Sequence, residues 1–172
     1  MKNVPAKRIV REYVHEVSAA ASEVFPLLCP VRERDWLDGW ESEILFSESG
    51  VAENNCIFRS HISGRGEELW VVSRYDPENF AIEFTTFDHV GTVMKLDIRV
   101  EDHGNRSSTV RFKHTLTGLN EKGNQFLEQY SDSKYRQMMS FLGKSLDHYC
   151  RTGRMFKTPS LMKGVHSLFS KR

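Results

Sequence analysis

Apolar and polar residues repeat along this chain with two different periods. Between Glu41 and Gly118 they alternate in short runs, at about 42–48, 55–62, 67–75, 80–88, 91–102 and 107–118. Such alternation predicts half-buried strands. The last two runs are the clearest. Met94, Leu96, Ile98 and Val100 face one way, with Lys95, Asp97, Arg99 and Glu101 opposite. Val110, Phe112, His114 and Leu116 repeat the pattern against Thr109, Arg111, Lys113 and Thr115. Ser49-Gly50, Ser63-Gly-Arg-Gly66, Asp76-Pro-Glu-Asn79 and His103-Gly-Asn105 supply turn chemistry at hairpin spacing. One wet and one covered face predicts an antiparallel sheet. Ile9 to Val17 alternates in part and predicts a further strand, which must pair at an edge or close the curve.

From Asn120 the period becomes helical. Leu127, Tyr130, Tyr135, Met138, Phe141, Leu142, Leu146 and Tyr149 share one side, and Gln129, Ser133, Arg136, Ser140, Lys144 and Asp147 the other. Asn120 suits an N-cap and Gly153 is a stop signal, which predicts one helix from Asn120 to about Tyr149. Ser131 and Lys134 interrupt its apolar side in the first half, so that half faces something partly polar or partly empty. Before the sheet, Ser18 to Leu28 predicts a short helix limited by Pro26 and Pro30, and Val31 to Trp40 a helical turn or bend.

Composition narrows the class. The chain has 172 residues, a natural size for one domain, with the core pattern complete by 153 and a basic amphipathic tail over 154–172. Its 24 Lys and Arg balance 23 Asp and Glu, so no electrostatic footprint for nucleic acid is present. Three widely spaced cysteines, Cys29, Cys56 and Cys150, predict free thiols and a cytoplasmic setting rather than a disulfide framework. No Cys, His or carboxylate spacing predicts a metal site. No nucleophile elbow or phosphate loop is present, and no cofactor is expected. Glu33 and Asp35, beside Arg32 and Arg34, read as a solvated face.

The order of strand, two short helices, six antiparallel strands and long helix resembles the SRPBCC superfamily, with its START-like or helix-grip α+β fold. The resemblance rests on Ala21-Ser-Glu-Val-Phe25, Trp70-Val-Val-Ser-Arg-Tyr-Asp-Pro77 and the terminal helix. Cys29-Pro-Val-Arg-Glu33 with Trp36-Leu-Asp-Gly-Trp40 is similar to small bacterial members without assigned activity. The resemblance implies a cavity between sheet and terminal helix, usually for an apolar or amphipathic ligand, and the expected function is binding of an apolar or amphipathic small molecule or lipid, without intrinsic catalysis. It leaves two alternatives: a polyketide cyclase or aromatase using the same cavity, and a protein-interaction module like the Hsp90-ATPase activators.

On that expectation the ligand-binding wall comprises Trp36, Trp40, Phe58, Trp70, Phe84, Leu96, Phe112, His114, Tyr130, Lys134 and Met138. Each has a plainer reading. Trp36 and Trp40 could simply anchor the short helices, Lys134 could snorkel over apolar surface, and Met138 could fill core. His15 and His114, on the concave parity, could shuttle a proton in an enzyme, or be satisfied core histidines. In the tail, Leu161, Met162, Val165, Leu168 and Phe169 fall at helical spacing among lysines. Residues 158–170 thus read either as a weak membrane-surface or protein contact, or as a frayed or self-packed tail. Both monomer and dimer remain open.

Overall fold

The structure, a computed structural model, describes residues 4–62 and 66–157. The Ser63-Gly-Arg-Gly66 turn, in its residues 63–65, and the segment 158–170 read from its spacing lie outside the described residues. Strand β1 (Lys7–Val17) is followed by helix α1 (Ala21–Val24), a 3-10 turn (Phe25–Leu28) and helix α2 (Pro30–Trp36). Strands β2 (Glu41–Phe46), β3 (Ile57–Ile62), β4 (Gly66–Asp76), β5 (Ala81–Phe87), β6 (Thr92–Gly104) and β7 (Ser107–Gly118) come next, then helices α3 (Glu121–Gln129) and α4 (Asp132–Thr152).

The seven strands form one curved antiparallel sheet in the order β1-β7-β6-β5-β4-β3-β2. The six central strands therefore meander, and β1 returns to close beside β7 over its whole length, from Lys7 opposite Gly118 to Val17 opposite Ser108. The alternation read from the sequence carries over directly. Val110, Phe112, His114 and Leu116 are buried on the inner face. Val10 and Val14 of β1 are exposed on the outer one.

The single helix expected over 120–149 is two helices. Tyr130 leaves helical geometry at φ −79°, ψ 78°, and Ser131 is extended at φ −68°, ψ 150°. Two side chains account for the break. Ser131 caps α4, its hydroxyl accepting the Lys134 N–H at 3.3 Å. Arg11, projecting inward from β1, donates from Nη2 to the Tyr130 carbonyl at 3.3 Å, replacing the helical bond that carbonyl forgoes. Arg11 also lies 3.8 Å from Asp132 in the first turn of α4. The residue that broke the apolar stripe in the sequence is thus a second N-cap. Asn120 caps α3 as expected, accepting from Gly123 N–H at 2.8 Å. Gly153 ends α4 in the left-handed conformation at φ 65°.

The core lies where α4 presses on β1 and β7. A Cβ on Gly143 would fall 2.4 Å from His15 Cγ, so only glycine lets the helix backbone ride directly on the imidazole. Val17, Val24, Leu28, Trp36, Val110 and Leu146 complete this packing, and all are fully buried. After α4, Phe156 bridges to Leu37 and packs its ring near Phe141 and His148. Cys29, Cys56 and Cys150 are free thiols.

Candidate functional site: an apolar cavity between sheet and helices

Beyond its contacts with β1 and β7, α4 stands off from the sheet. A cavity of about 140 Å³ remains between them. Strands β3 to β7 supply its floor with Phe58, Glu68, Trp70, Phe84, Met94, Leu96, Ile98, Phe112, His114 and Leu116. Its roof is Phe126 and Tyr130 near the helix break, and Met138, Met139 and Leu142 of α4. Pro30 and Glu33 of α2, with Leu37 and Trp40 just after it, close one end.

The floor is ordered by cross-strand register. Phe58, Trp70, Thr86, Met94 and Leu116 stand in one row across β3 to β7. Val72, Phe84, Leu96 and His114 form the next. Phe58 and Trp70 stack at 5.8 Å between ring centres, and Phe84 meets both edge-on. Trp70 is oriented by its indole N–H, which donates to Ser60 Oγ at 2.9 Å. At the α2 end, Trp40 Nε1 and Ser42 Oγ both donate to the Pro30 carbonyl, at 2.9 and 2.8 Å. These bonds dock α2 on β2.

Four polar side chains are bound up with this apolar volume. His114 Nδ1 lies 3.2 Å from Tyr135 Oη, and both residues are buried. Burial pushes the Tyr135 phenol well above its ordinary pKa, so it stays protonated and can donate to His114. Glu68 is buried on the floor beside Trp70. Glu33 is half-buried and lines the α2 end of the cavity. Desolvation pushes its carboxyl up to about 8.

Nine of the eleven residues expected in the wall line the cavity: Trp40, Phe58, Trp70, Phe84, Leu96, Phe112, His114, Tyr130 and Met138. Trp36 does not. It is fully buried and donates its indole N–H to the Leu27 carbonyl at 2.8 Å, anchoring α2 to the turn before it. Lys134 is exposed on α4, one residue before the inward-pointing Tyr135, and stands outside the cavity. His15 and His114 are not brought together. His15 is opposite Val110 and His114 is opposite Arg11. Four residues of strand separate them, about 13 Å. His15 lies under Gly143, where burial lowers its pKa; the Asp147 carboxylate opposes that shift.

Glu33, Glu68, Met139 and Arg11 escaped the sequence reading. Glu68 shares the parity of Trp70 and Val72, which was signal enough. Glu33 stands three residues after Pro30 and four before Leu37, on the helical face those two define. It was read as solvated because its immediate neighbours, Arg32, Arg34 and Asp35, are charged.

This architecture is a helix-grip fold: a curved seven-stranded antiparallel sheet with a long C-terminal helix and short helices after strand one. No family model and no curated protein matches the chain. Solved structures do match. A norcoclaurine synthase point mutant from Thalictrum flavum, in complex with a transition-state analogue, superposes with a TM-score of 0.66 at 15% identity, over 87% of this chain and 98% of that one. The Zhui aromatase/cyclase from Streptomyces sp. R1128 gives 0.62 at 16% identity, over 86% and 97%. Ara h 8.0201 gives 0.60 at 12% identity, over 85% and 99%. At such identities the likeness is one of fold. No helix among the described residues is long and apolar enough to cross a membrane. Among them, too, no group of three His, Cys, Asp or Glu is arranged to hold a metal ion.

Proposed function

We propose that this protein binds an apolar or amphipathic small molecule in the cavity between its sheet and its C-terminal helices, without chemistry of its own. The observation that supports this reading is the lining itself. It is a continuous wall of aromatic, aliphatic and thioether side chains with few polar groups, the usual make-up of a small-molecule site. Its volume, about 140 Å³, bounds the enclosed part of the ligand. An apolar cavity of about 150 Å³ takes up benzene, so a ring-sized body fits inside and any longer remainder lies in the mouth.

Native mass spectrometry of protein purified from its own host tests the reading, together with uptake of the neutral fluorophore N-phenyl-1-naphthylamine. A co-purified apolar molecule, or saturable uptake that the Met138→Trp substitution abolishes, supports it. Absence of both overturns it. The cyclase or aromatase alternative draws support from the His114–Tyr135 contact and from the aromatase/cyclase among the structures of similar fold. Under that alternative the incubated ligand is recovered changed, and His114→Phe stops the change while the ligand still binds.

A further inference from the structure

The α2 end of the cavity differs in chemistry from the rest, and the difference concerns what the ligand carries. Glu33 and Glu68 both face a volume otherwise walled by hydrocarbon and aromatic rings. No Lys or Arg is among its lining residues. The cations nearest Glu33 in sequence are engaged elsewhere. Arg32 pairs with Asp35 at 2.6 Å, and Arg34 donates to the Val31 carbonyl at 2.8 Å. Among the described residues no hydrogen bond or ion pair engages the Glu33 carboxyl.

A carboxyl with no internal partner in such a place costs stability, because burial disfavours its charged form. A packing role would be met better by leucine or methionine. An arriving cation would change the balance, since it pairs with the carboxylate where water competes least. The rings beside it favour the same kind of ligand. Trp40 and Trp70 line this end, and aromatic faces attract ammonium groups.

Resting on the cavity-binding reading, we infer that the ligand is an organic cation, a ring-sized apolar body bearing a protonated amine, whose ammonium group pairs with Glu33 at the α2 end of the cavity. Glu68 faces the same volume, and Trp40 and Trp70 add aromatic faces. The apolar body lies against Phe84, Leu96 and Met138. The His114–Tyr135 pair stands near the helix break and is not needed for charge recognition.

Three probes of one shape separate the possibilities: benzylammonium, benzyl alcohol and phenylacetate, titrated calorimetrically into the full chain at pH 8. The expected order is benzylammonium first, by at least roughly tenfold over the alcohol, the scale of a hydrogen bond to a charged partner. Phenylacetate should be excluded. In Glu33→Gln the preference for the ammonium over the alcohol should shrink to within about threefold. Because the comparison is a ratio within each protein, a general loss of stability in the variant does not imitate the result. The wild-type ratio decides the matter even if the variant fails to fold. If benzyl alcohol binds and benzylammonium binds no better, or if Glu33→Gln keeps the full preference, the cation inference falls and cavity binding stands. If none of the three binds and N-phenyl-1-naphthylamine is not taken up, both fall.

Discussion

The inner face of this sheet meets α4 in two ways. Over β1 and the near part of β7 the contact is solid: the helix backbone at Gly143 rests on His15, and Val17, Val110 and Leu146 leave no space. Over β3 to β6 the same helix stands off, and Met138, Met139 and Leu142 face Trp70, Phe84 and Leu96 across a void. Both halves carry the same alternation of apolar residues. The difference lies in what the helix presents. A glycine permits backbone contact at one end, while at the other the break at Tyr130 and Ser131, tied by Arg11, sets how the roof begins. Apolar pattern therefore marks the inward positions without saying which of them are core and which are wall.

The largest effect that could break this contrast is expected at the solid end. Gly143→Ala drives a methyl into the His15 ring and should destabilise the fold by about 2–3 kcal/mol, although alanine is worth close to 1 kcal/mol over glycine in a helix. Thermal unfolding is the measurement, and pairing it with His15→Ala should recover most of the loss. An unchanged or raised Tm would mean that α4 lifts off easily and that this end is not solid.

Next comes the carboxyl in the hollow end. Unfolded, Glu33 ionises near 4.5, and folded it ionises only near 8. Between those values the unfolded state is the one that sheds its proton, so wild-type stability falls as pH rises. Glu33→Gln escapes this. Its advantage over wild type should be absent at pH 4 and grow to on the order of 1–3 kcal/mol at pH 8. A stability difference that stays flat across this range would put Glu33 in open water. His15, whose pKa is lowered, acts in the other direction: its contribution is present above about 6.5 and lost as pH falls below that value. Comparing variant with wild type at each pH removes it.

A smaller effect sharpens the boundary of the solid end. A chain ending at Gly153 lacks Phe156, which packs near Phe141 and His148 and bridges to Leu37. It should remain folded but lose about 1 kcal/mol relative to a chain ending at Lys157, a few degrees in Tm. A fall of more than about ten degrees would make the segment part of the core.

The smallest expected change in stability is at Met138. Met138→Trp fills empty volume, so the Tm should hold or rise while uptake of N-phenyl-1-naphthylamine falls. Overpacking in a dense core costs about 1–3 kcal/mol. A clearly destabilised variant with normal uptake would show that Met138 is core.

The strands, and the inward parity of β6 and β7, were legible in the sequence because alternation with period two is a local property of each strand; the parity over 42–75 was not. Nine of the expected wall residues line the cavity: six stand on strands, and Trp40, Tyr130 and Met138 came from the helical segments and the implied cavity. Trp36 and Lys134 did not belong. Trp36 sits at the same helical spacing as Trp40, yet its indole finds a carbonyl inside the short-helix packing. Lys134 falls on the apolar side only if one helix runs unbroken through Ser131. Glu33 was misread for a related reason: the charges beside it in sequence point to other faces of α2.

What the sequence determined by itself was therefore the set of elements, their order and the face each one hides, since these depend on residue spacing within a single segment. The tertiary structure alone decided that the helix breaks at Tyr130, because the Arg11 bond that compensates the break comes from the opposite end of the chain. It alone separated His15 from His114, by the register of β1 on β7. It also decided where the inner face is empty, since a void is set by the distance between two surfaces, and no single segment carries that distance.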